Sequence, residues 1–415
     1  MKGVFIIFDG VADLPCRQLN GKTPLEAAKT PNIDFFAKKS KLDYCHTVGE
    51  GIAPQSNNAV ISLFGRNPDL APRGSLEAQG WGVKLSPGDL AFRTNFATID
   101  DLKNLNVLDR RAGRNLSTKE AKALAKAINT EVKLSAKFEF IPTVNHRGIL
   151  VFRGGFSDNI TNIDPEYGRG VVNKSPVFKL KFSHSVDDED NSKYAAELIN
   201  NFVRQSFTVL DKHPINISRA KKGLHAANII LARDAGDHPV KLKKLPGKWA
   251  AIAYMPLELG ISQALKMDIY KCSNIKMRGM DVYANLHKTM HHYVKFIIKK
   301  MKKKKKKYDY FYIHIKKTDT PGHDNLPHEK VKMLEYLDKN LFGFLKKFIT
   351  NERLILTADH TTACKLKAHT ADPVPVMTYP NYAKTSPDPE QRFTEKWGLK
   401  GRKIQGKKLL EQNLF

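Results

Sequence analysis

The chain has 415 residues, a hydrophobic fraction of 41% and a formal net charge of +27. This length exceeds what a single hydrophobic core usually serves, so we expect two domains, and no stretch approaches the roughly 20 apolar residues that span a bilayer. The positive charge would suit a polyanion, but no nucleic-acid motif accompanies it, so we expect small anionic partners, no specific nucleic acid and no membrane.

The first predicted element is a buried strand, Val4 to Phe8, which runs directly into Asp9. Five apolar residues without a small-residue cleavage site are too few for a signal peptide. Two short helices should follow, because Thr23-Pro24 and Thr30-Pro31 are typical helix starts.

Ser56 precedes a helix-like run from Asn58 to Phe64. A serine at this place points its hydroxyl at the positive end of a helix, where backbone N–H groups favour an anionic oxygen or a phosphate. Ser56 is therefore our candidate nucleophile. The alternative is an ordinary helix-capping serine.

From about residue 90 to about residue 240 the pattern changes. This part contains a predicted helix at Ser117 to Asn129, two short strands at Phe138 to Ile141 and Gly148 to Phe152, and an acidic patch at Asp187 to Asp190. We interpret residues 91–240 as a smaller inserted α+β domain. Residues 1–90 and 241–415 would form the other, discontinuous domain.

The last third repeats the pattern of the first strand. Tyr310 to Ile315 and Leu354 to Ala358 are apolar runs of the buried parallel-strand type, and acidic residues and histidines follow both. Pro327 opens a periodic helical stretch that extends to Phe348, and the lysine run Lys302 to Lys307 should be a solvated connector. The fold class is therefore α/β with a mostly parallel sheet, in which residues at the carboxyl ends of the strands converge on one crevice.

The residues after these strands are candidate metal ligands. Asp319 and His323 lie four residues apart, Asp359 and His360 directly follow a strand, and His369 lies nearby in sequence. Each alone has a simpler explanation as a loop residue or a helix cap. Together they could supply the half-sites of a dinuclear centre with ions ~3.5–4 Å apart.

Several motifs resemble, in order, those of archaeal-type cofactor-independent phosphoglycerate mutases of the alkaline phosphatase superfamily. They are Asp9-Gly10, Gly21 to Asn32, Ser56 to Pro68, Ala91 to Phe96, Asp109 to Arg114, His146 to Gly148, Ala227-Asn228 with Arg233, His314 to Asp324, and Thr357 to Pro375. The resemblance covers nearly the whole chain and implies an alkaline-phosphatase-like core with an inserted domain.

This resemblance also implies a mechanism and its cofactors. One metal ion would be held by Asp319, His323 and His369, and the other by Asp9, Ser56, Asp359 and His360. Ser56 would take the phosphate from 3-phosphoglycerate and return it to the 2-hydroxyl of the same glycerate, without 2,3-bisphosphoglycerate. Manganese is the expected metal, with zinc, cobalt, iron or magnesium as alternatives.

The inserted domain would hold the glycerate and shield the phosphoserine from water. Guanidinium groups clamp carboxylates and phosphates well, and a structural ion pair is the alternative for each candidate. The predicted substrate-binding residues are Asp109, Arg110, Arg111, Arg114, His146, Arg147, Arg219 and Arg233.

Two positions depart from the family pattern. Asn57 stands where the family commonly has an acidic residue, and Leu259 precedes Gly260 where a lysine is common. Two other functions therefore stay open: a metal-dependent phosphatase or phosphodiesterase on the same core, and a non-catalytic polyanion-binding protein. The four cysteines, Cys16, Cys45, Cys272 and Cys364, form no Cys-x-x-Cys pair and predict a reducing cytoplasm.

Overall fold

A computed structural model describes residues 1–165, 167–168, 171–172, 179–273, 281–382 and 386–414. Its strands are β1 Gly3–Phe8, β2 Lys41–His46, β3 Leu90–Ile99, β4 Val107–Asp109, β5 Lys137–Pro142, β6 Arg147–Arg153, β7 Tyr167–Gly168, β8 Val171–Val172, β9 Ile229–Gly236, β10 Trp249–Ala253, β11 Asp268–Lys271, β12 Tyr310–Ile315, β13 Arg353–Ala358, β14 Thr361–Ala363, β15 Ala368–Thr370, β16 Val374–Tyr379 and β17 Lys403–Gln405.

The α-helices are distributed along the whole described chain. They are α1 Pro24–Ala27, α2 Pro31–Ala37, α3 Ser56–Leu63, α4 Arg73–Gly80, α5 Thr118–Glu131, α6 Asp190–Asp211, α7 Pro214–Lys221, α8 Pro256–Ala264, α9 Val282–Lys304, α10 Thr320–His323, α11 Pro327–Leu337, α12 Gly343–Phe348, α13 Glu395–Gly398 and α14 Leu409–Asn413. None of the helices in this part of the chain is long and apolar enough to cross a membrane.

The larger sheet has eight strands in the order β11-β10-β12-β1-β13-β16-β2-β17. Only β16 runs against the others, so the fold is α/β with a mostly parallel sheet, as predicted. At its centre, Phe8 of β1 pairs in register with Ile315 of β12 and with Ala358 of β13. This register places the residues that follow the three strands at one edge of the sheet.

The smaller sheet is antiparallel and has five strands, with β3 between β6 and β9. Helices α5 and α6 cover it, and the rings of Phe140, Phe152 and Phe202 pack between them and the strands. Apart from Leu90, its strands come from residues 91–240. The division at residues 91 and 240 stays a prediction.

The predicted elements are found, with differences at their ends. Ser117 caps α5 through a reciprocal pair of hydrogen bonds with Glu120, which explains why that helix was readable. The prediction that Lys302 to Lys307 form a connector was wrong for the first half of this run, because Lys302–Lys304 belong to α9. Lysine is a good helix former, and its charge is favourable at a helix carboxyl end.

Candidate active site

The predicted ligands lie together at the carboxyl edge of the larger sheet. Asp9 follows β1, Asp319 follows β12 by four residues, and Asp359 directly follows β13. The β14–β15 hairpin pairs Thr362 with His369, which stacks the rings of His360 and His369 at 3.6 Å between centroids. Residues more than 300 positions apart therefore share one cluster.

The first half-site contains Asp319, His323 and His369. Both imidazoles contact backbone carbonyls through Nδ1, His323 at Lys367 (3.0 Å) and His369 at Pro54 (2.8 Å). Because a carbonyl oxygen only accepts, each Nδ1 carries the hydrogen, and in the neutral ring Nε2 is a bare lone pair.

These lone pairs face one another. The two Nε2 atoms are 3.3 Å apart, and they lie 3.4 Å and 3.7 Å from the carboxylate oxygens of Asp319. Burial and the neighbouring His360 lower the pKa of His369, which favours its neutral ring. With both hydrogens on Nδ1, no hydrogen lies between the two Nε2 lone pairs and the Asp319 oxygens that face them, so these acceptors repel each other and the half-site fits a cation between them.

The second half-site contains Asp9, Ser56, Asp359 and His360. The Thr362 hydroxyl donates to Asp319 (2.7 Å) and so accepts from Nδ1 of His360 (3.1 Å). The Nε2 atom of His360 then faces Ser56 Oγ at 3.2 Å and Asp9 Oδ1 at 3.3 Å.

Asp359 completes this half-site. Its Oδ1 accepts the backbone N–H groups of Gly10 and His360, whereas its buried Oδ2 has no hydrogen-bond partner among the described residues. A buried carboxylate oxygen without a donor is costly, and a divalent cation would remove that cost. The side chains of both half-sites therefore fit the two metal ions implied by the sequence.

A cleft lies over the half-sites and, outside them, carries more basic than acidic side chains. Its basic residues are Arg73, Arg93, Arg111, Arg147, Lys316 and Lys317, and Glu77 and Glu258 are also in its wall. Burial, followed by Arg147 and Lys316, lowers the pKa of Lys317 to about 7. Such a surplus of positive charge suits an anionic ligand.

The predicted substrate-binding residues divide into two groups. Arg111 and Arg147 line the cleft and an adjoining pocket, and Arg114 and His146 line that pocket. The other arginines form ion pairs inside the smaller unit, by which we mean the five-stranded sheet with the chain segments between its strands. These pairs are Arg110 and Arg233 with Asp164, and Arg219 with Glu120. Asp109 accepts the backbone N–H groups of Arg111 and Gly113 and so shapes the loop rather than the cleft.

Several residues in the cleft wall or next to it were not among the predicted site residues. His314 is fully buried, with Nε2 3.5 Å from Asp359 Oδ2, and Lys316 lies 2.6 Å from Asp9 Oδ2. Arg93 lies in the buried strand β3, and a charge inside an apolar run was the sequence signal for it. Arg73 and Glu77 on α4 gave no such signal.

The two departures from the family pattern lie outside the cleft wall. Asn57 donates to the side chain of Asn58 (2.7 Å), and Leu259 is buried. Glu258, one position before Leu259, does line the cleft and lies 3.5 Å from Lys316. Lys316, which follows β12, therefore places a positive charge beside α8, the helix that has Leu259 where the family commonly has a lysine.

A sequence profile of the 2,3-bisphosphoglycerate-independent phosphoglycerate mutase family matches residues 37–216. A protein of that name from Thermococcus gammatolerans is 37% identical over 96% of this chain and 93% of its own. One from Methanosphaera stadtmanae is 37% identical over 91% and 88%.

Two solved structures resemble the whole chain. A Pyrococcus horikoshii protein superimposes with a TM-score of 0.72 at 28% identity, covering 100% of this chain and 96% of that one. The cofactor-independent phosphoglycerate mutase from Thermoplasma acidophilum has a TM-score of 0.53 at 25% identity, with coverages of 99% and 98%.

Proposed function

The chain belongs to the family of 2,3-bisphosphoglycerate-independent phosphoglycerate mutases, an isomerase family, and from this premise we propose that it interconverts 3-phosphoglycerate and 2-phosphoglycerate in the cleft over the two half-sites. The observation that carries the proposal is the place of Ser56. Its hydroxyl lies at the first residue of α3, 3.4 Å from Asp9 and 3.2 Å from His360.

Ser56 is the nucleophile of the proposed reaction. Its hydroxyl gives up its proton, and Oγ forms a bond to phosphorus as the bond from phosphorus to the substrate's 3-oxygen breaks and that oxygen takes up a proton. The 2-hydroxyl of the same glycerate then gives up its proton as it attacks the phosphoserine, and the released Oγ is protonated again. The free N–H groups at the start of α3 stabilise the negative charge of the phosphate throughout.

We propose that Asp319, His323 and His369 hold one divalent ion and that Asp9, Ser56, Asp359 and His360 hold the other. Bound divalent ions, with manganese the first to test, would lower the pKa of the serine hydroxyl and neutralise phosphate charge. The protein's own part is to orient these ligands. It does so through the Nδ1 contacts of the histidines and the N–H groups that Asp359 accepts.

Substrate binding is assigned to the basic side chains of the cleft. Arg111 and Arg147 reach it from the smaller unit, and Lys316 and Lys317 reach it from the end of β12. A phosphoglycerate carries a carboxylate and a phosphate, and two guanidinium groups beside two ammonium groups can bind both. Residues 91–240 would act as the domain that covers the glycerate.

The experiment is conversion of 3-phosphoglycerate by the purified protein with manganese and without 2,3-bisphosphoglycerate. Ser56→Ala should abolish isomerisation, because the acceptor oxygen is removed. Ser62→Ala, a buried serine later on the same helix, is the control and should keep it. Absence of isomerisation by manganese-loaded wild type would refute the proposal, and release of free phosphate would then favour the phosphatase alternative.

A further inference from the structure

Lys330 is a fully buried lysine on α11, with 0% of its surface exposed. Its ammonium group donates three hydrogen bonds: to Asp13 Oδ2 (2.7 Å), to the carbonyl of Thr362 (2.9 Å) and to the carbonyl of Gly10 (3.1 Å). An ammonium has three donors, so this group is completely satisfied. Removing such a group leaves its buried partners without a donor, which is costly.

The three acceptors belong to the loops that carry the second half-site. Gly10 follows Asp9, and its N–H donates to Asp359 while its carbonyl accepts from Lys330. The two peptide groups that flank the Cα of Gly10 are therefore each held by a hydrogen bond, the first to Asp359 and the second to Lys330.

Thr362 connects the same ammonium to the histidines. Its carbonyl accepts from Lys330, and its hydroxyl lies between Asp319 and Nδ1 of His360. Asp13, the third acceptor, also accepts the backbone N–H of Cys364 through Oδ1 (2.9 Å). One ammonium thus joins the loop after β1 to the β14–β15 hairpin.

We propose that Lys330 is a positioning residue that sets the distance between Asp9 and His360, and hence the metal affinity of the second half-site. The inference rests on the metal ligands of the proposed function. Lys330 touches neither ligand side chains nor the cleft, and it acts through the backbone of Gly10 and Thr362. Without it, those two carbonyls lose their donor and the loops can separate.

The test is direct binding of Mn²⁺ to the metal-free full-length protein, measured as free Mn²⁺ by electron paramagnetic resonance. Lys330→Met should lower the affinity for one of the two bound ions by roughly 10- to 100-fold, the usual effect of losing a residue that orients a ligand. The ion held by Asp319, His323 and His369 should change less. If the folded variant binds both ions with the same affinities as wild type does, the inference is overturned.

Asp13 would be left unpaired in Lys330→Met, which could prevent folding. A double variant, Lys330→Met with Asp13→Asn, removes both charges and should show the same loss of one ion. If this folded double variant binds two ions as wild type does, Lys330 has no positioning role.

Arg392→Met is the matched control. Like Lys330, Arg392 donates to one carboxylate, of Asp34, and to two backbone carbonyls, of Glu26 and Ala28, but away from the half-sites. It should lower stability without changing Mn²⁺ affinity, and an equal weakening there would overturn the inference. Because ion binding is measured without substrate, failure of isomerisation in wild type would refute the proposed function and leave this test intact.

Discussion

Gly10 shows how little space the candidate centre leaves around single residues. Its φ is +54°, and a Cβ added to it would lie 2.3 Å from Thr362 Oγ1 and 2.5 Å from Asp319 Oδ1. Both of those atoms belong to the hydrogen-bond chain that orients His360. A side chain at this position would therefore strain the backbone and displace the two half-sites together.

We predict that Gly10→Ala abolishes isomerase activity and Mn²⁺ binding. Gly21→Ala separates the two causes, because Gly21 has a φ of +79° but nothing within 4 Å of an added Cβ. That control should lose only ~1–2 kcal/mol of stability, the cost of a side chain in the left-handed region, and should stay active. Unfolding in urea and Mn²⁺ titration measure both effects; a Gly10→Ala protein that binds manganese normally would contradict the predicted clash.

Glu395 gives a prediction for pH. Its carboxylate accepts from the backbone N–H of Asp13 and from the Thr23 hydroxyl, and burial raises its pKa from 4.5 to about 7. Between these values the folded protein keeps a proton that the unfolded chain has lost. Stability from this group is therefore full below about pH 4.5 and is lost as the pH rises to about 7.

Glu395→Gln should remove that dependence. The free energy of unfolding of the variant minus that of wild type should be more positive at pH 8 than at pH 5, as measured by urea unfolding at both pH values. The difference between the two proteins cancels the contribution of other titrating groups. A stability difference that is the same at both pH values would show that the carboxyl titrates normally in the folded state.

The family resemblance grouped the candidate ligands into two half-sites, and Asp9 and Asp359 were also predictable from the residues alone, because each directly follows an apolar run. Lys330 was not, because a lysine in a periodic helix has the sequence pattern of a solvated one. Its burial depends on Gly10 and Thr362, which are 320 and 32 positions away. Contacts of that kind are absent from any local pattern.

At the scale of elements, helices α4 and α8 cross with their backbones in contact. An added Cβ on Gly260 would lie 1.9 Å from the carbonyl oxygen of Leu76, and one on Gly80 would lie 2.3 Å from the nitrogen of Gly260. Helix α4 carries Arg73 and α8 carries Glu258, so this crossing sets the width of the cleft. The sequence contains Gly80 and Gly260 but does not show that the two helices contact each other at these residues.

We predict that Gly260→Ala lowers stability by about 1–3 kcal/mol, the usual cost of overpacking. The higher helix propensity of alanine, worth about 1 kcal/mol, opposes this but does not remove the backbone clash. KM for phosphoglycerate should rise as α8 shifts. Gly155→Ala has open space and serves as the control, and an unchanged or increased stability of Gly260→Ala would contradict the predicted contact.

Other elements were readable to different degrees. The three central strands are continuous apolar runs, so β1, β12 and β13 were predicted within a residue or two. Helix α6 was missed, because its acidic start at Asp190 was interpreted as a polar patch although buried residues recur along the next 20 positions. Its amphipathic face becomes clear only once the smaller sheet is there to cover it.

At the scale of the whole molecule, a salt bridge joins the smaller unit to the segment that carries the proposed metal ligands Asp319 and His323. Arg114 donates to both oxygens of Asp324 (2.6 and 2.8 Å), and Tyr283 also donates to Asp324 (2.7 Å). Asp324 directly follows His323. The insertion was predictable from its change of pattern, whereas this docking contact, over 210 positions, was not.

Arg114→Met should loosen the smaller unit over the cleft and admit water to the proposed phosphoserine. A phosphoserine exposed to water is hydrolysed instead of returning its phosphate to glycerate, so the protein should shift from mutase toward phosphatase. We expect the ratio of free phosphate released to 2-phosphoglycerate formed to rise. Weaker substrate binding alone would lower both products and leave their ratio unchanged.

Arg204→Met provides the control, because Arg204 lies on α6 with its guanidinium over the ring of Phe182 (3.9 Å) within the smaller unit, and this variant removes the same charge without breaking the contact to Asp324. Its product ratio should match that of wild type. Since Arg114 lines the pocket beside the cleft, the ratio is a sharper measurement than kcat. Equal ratios in both variants would mean that protection of the phosphoserine does not depend on the Arg114–Asp324 contact.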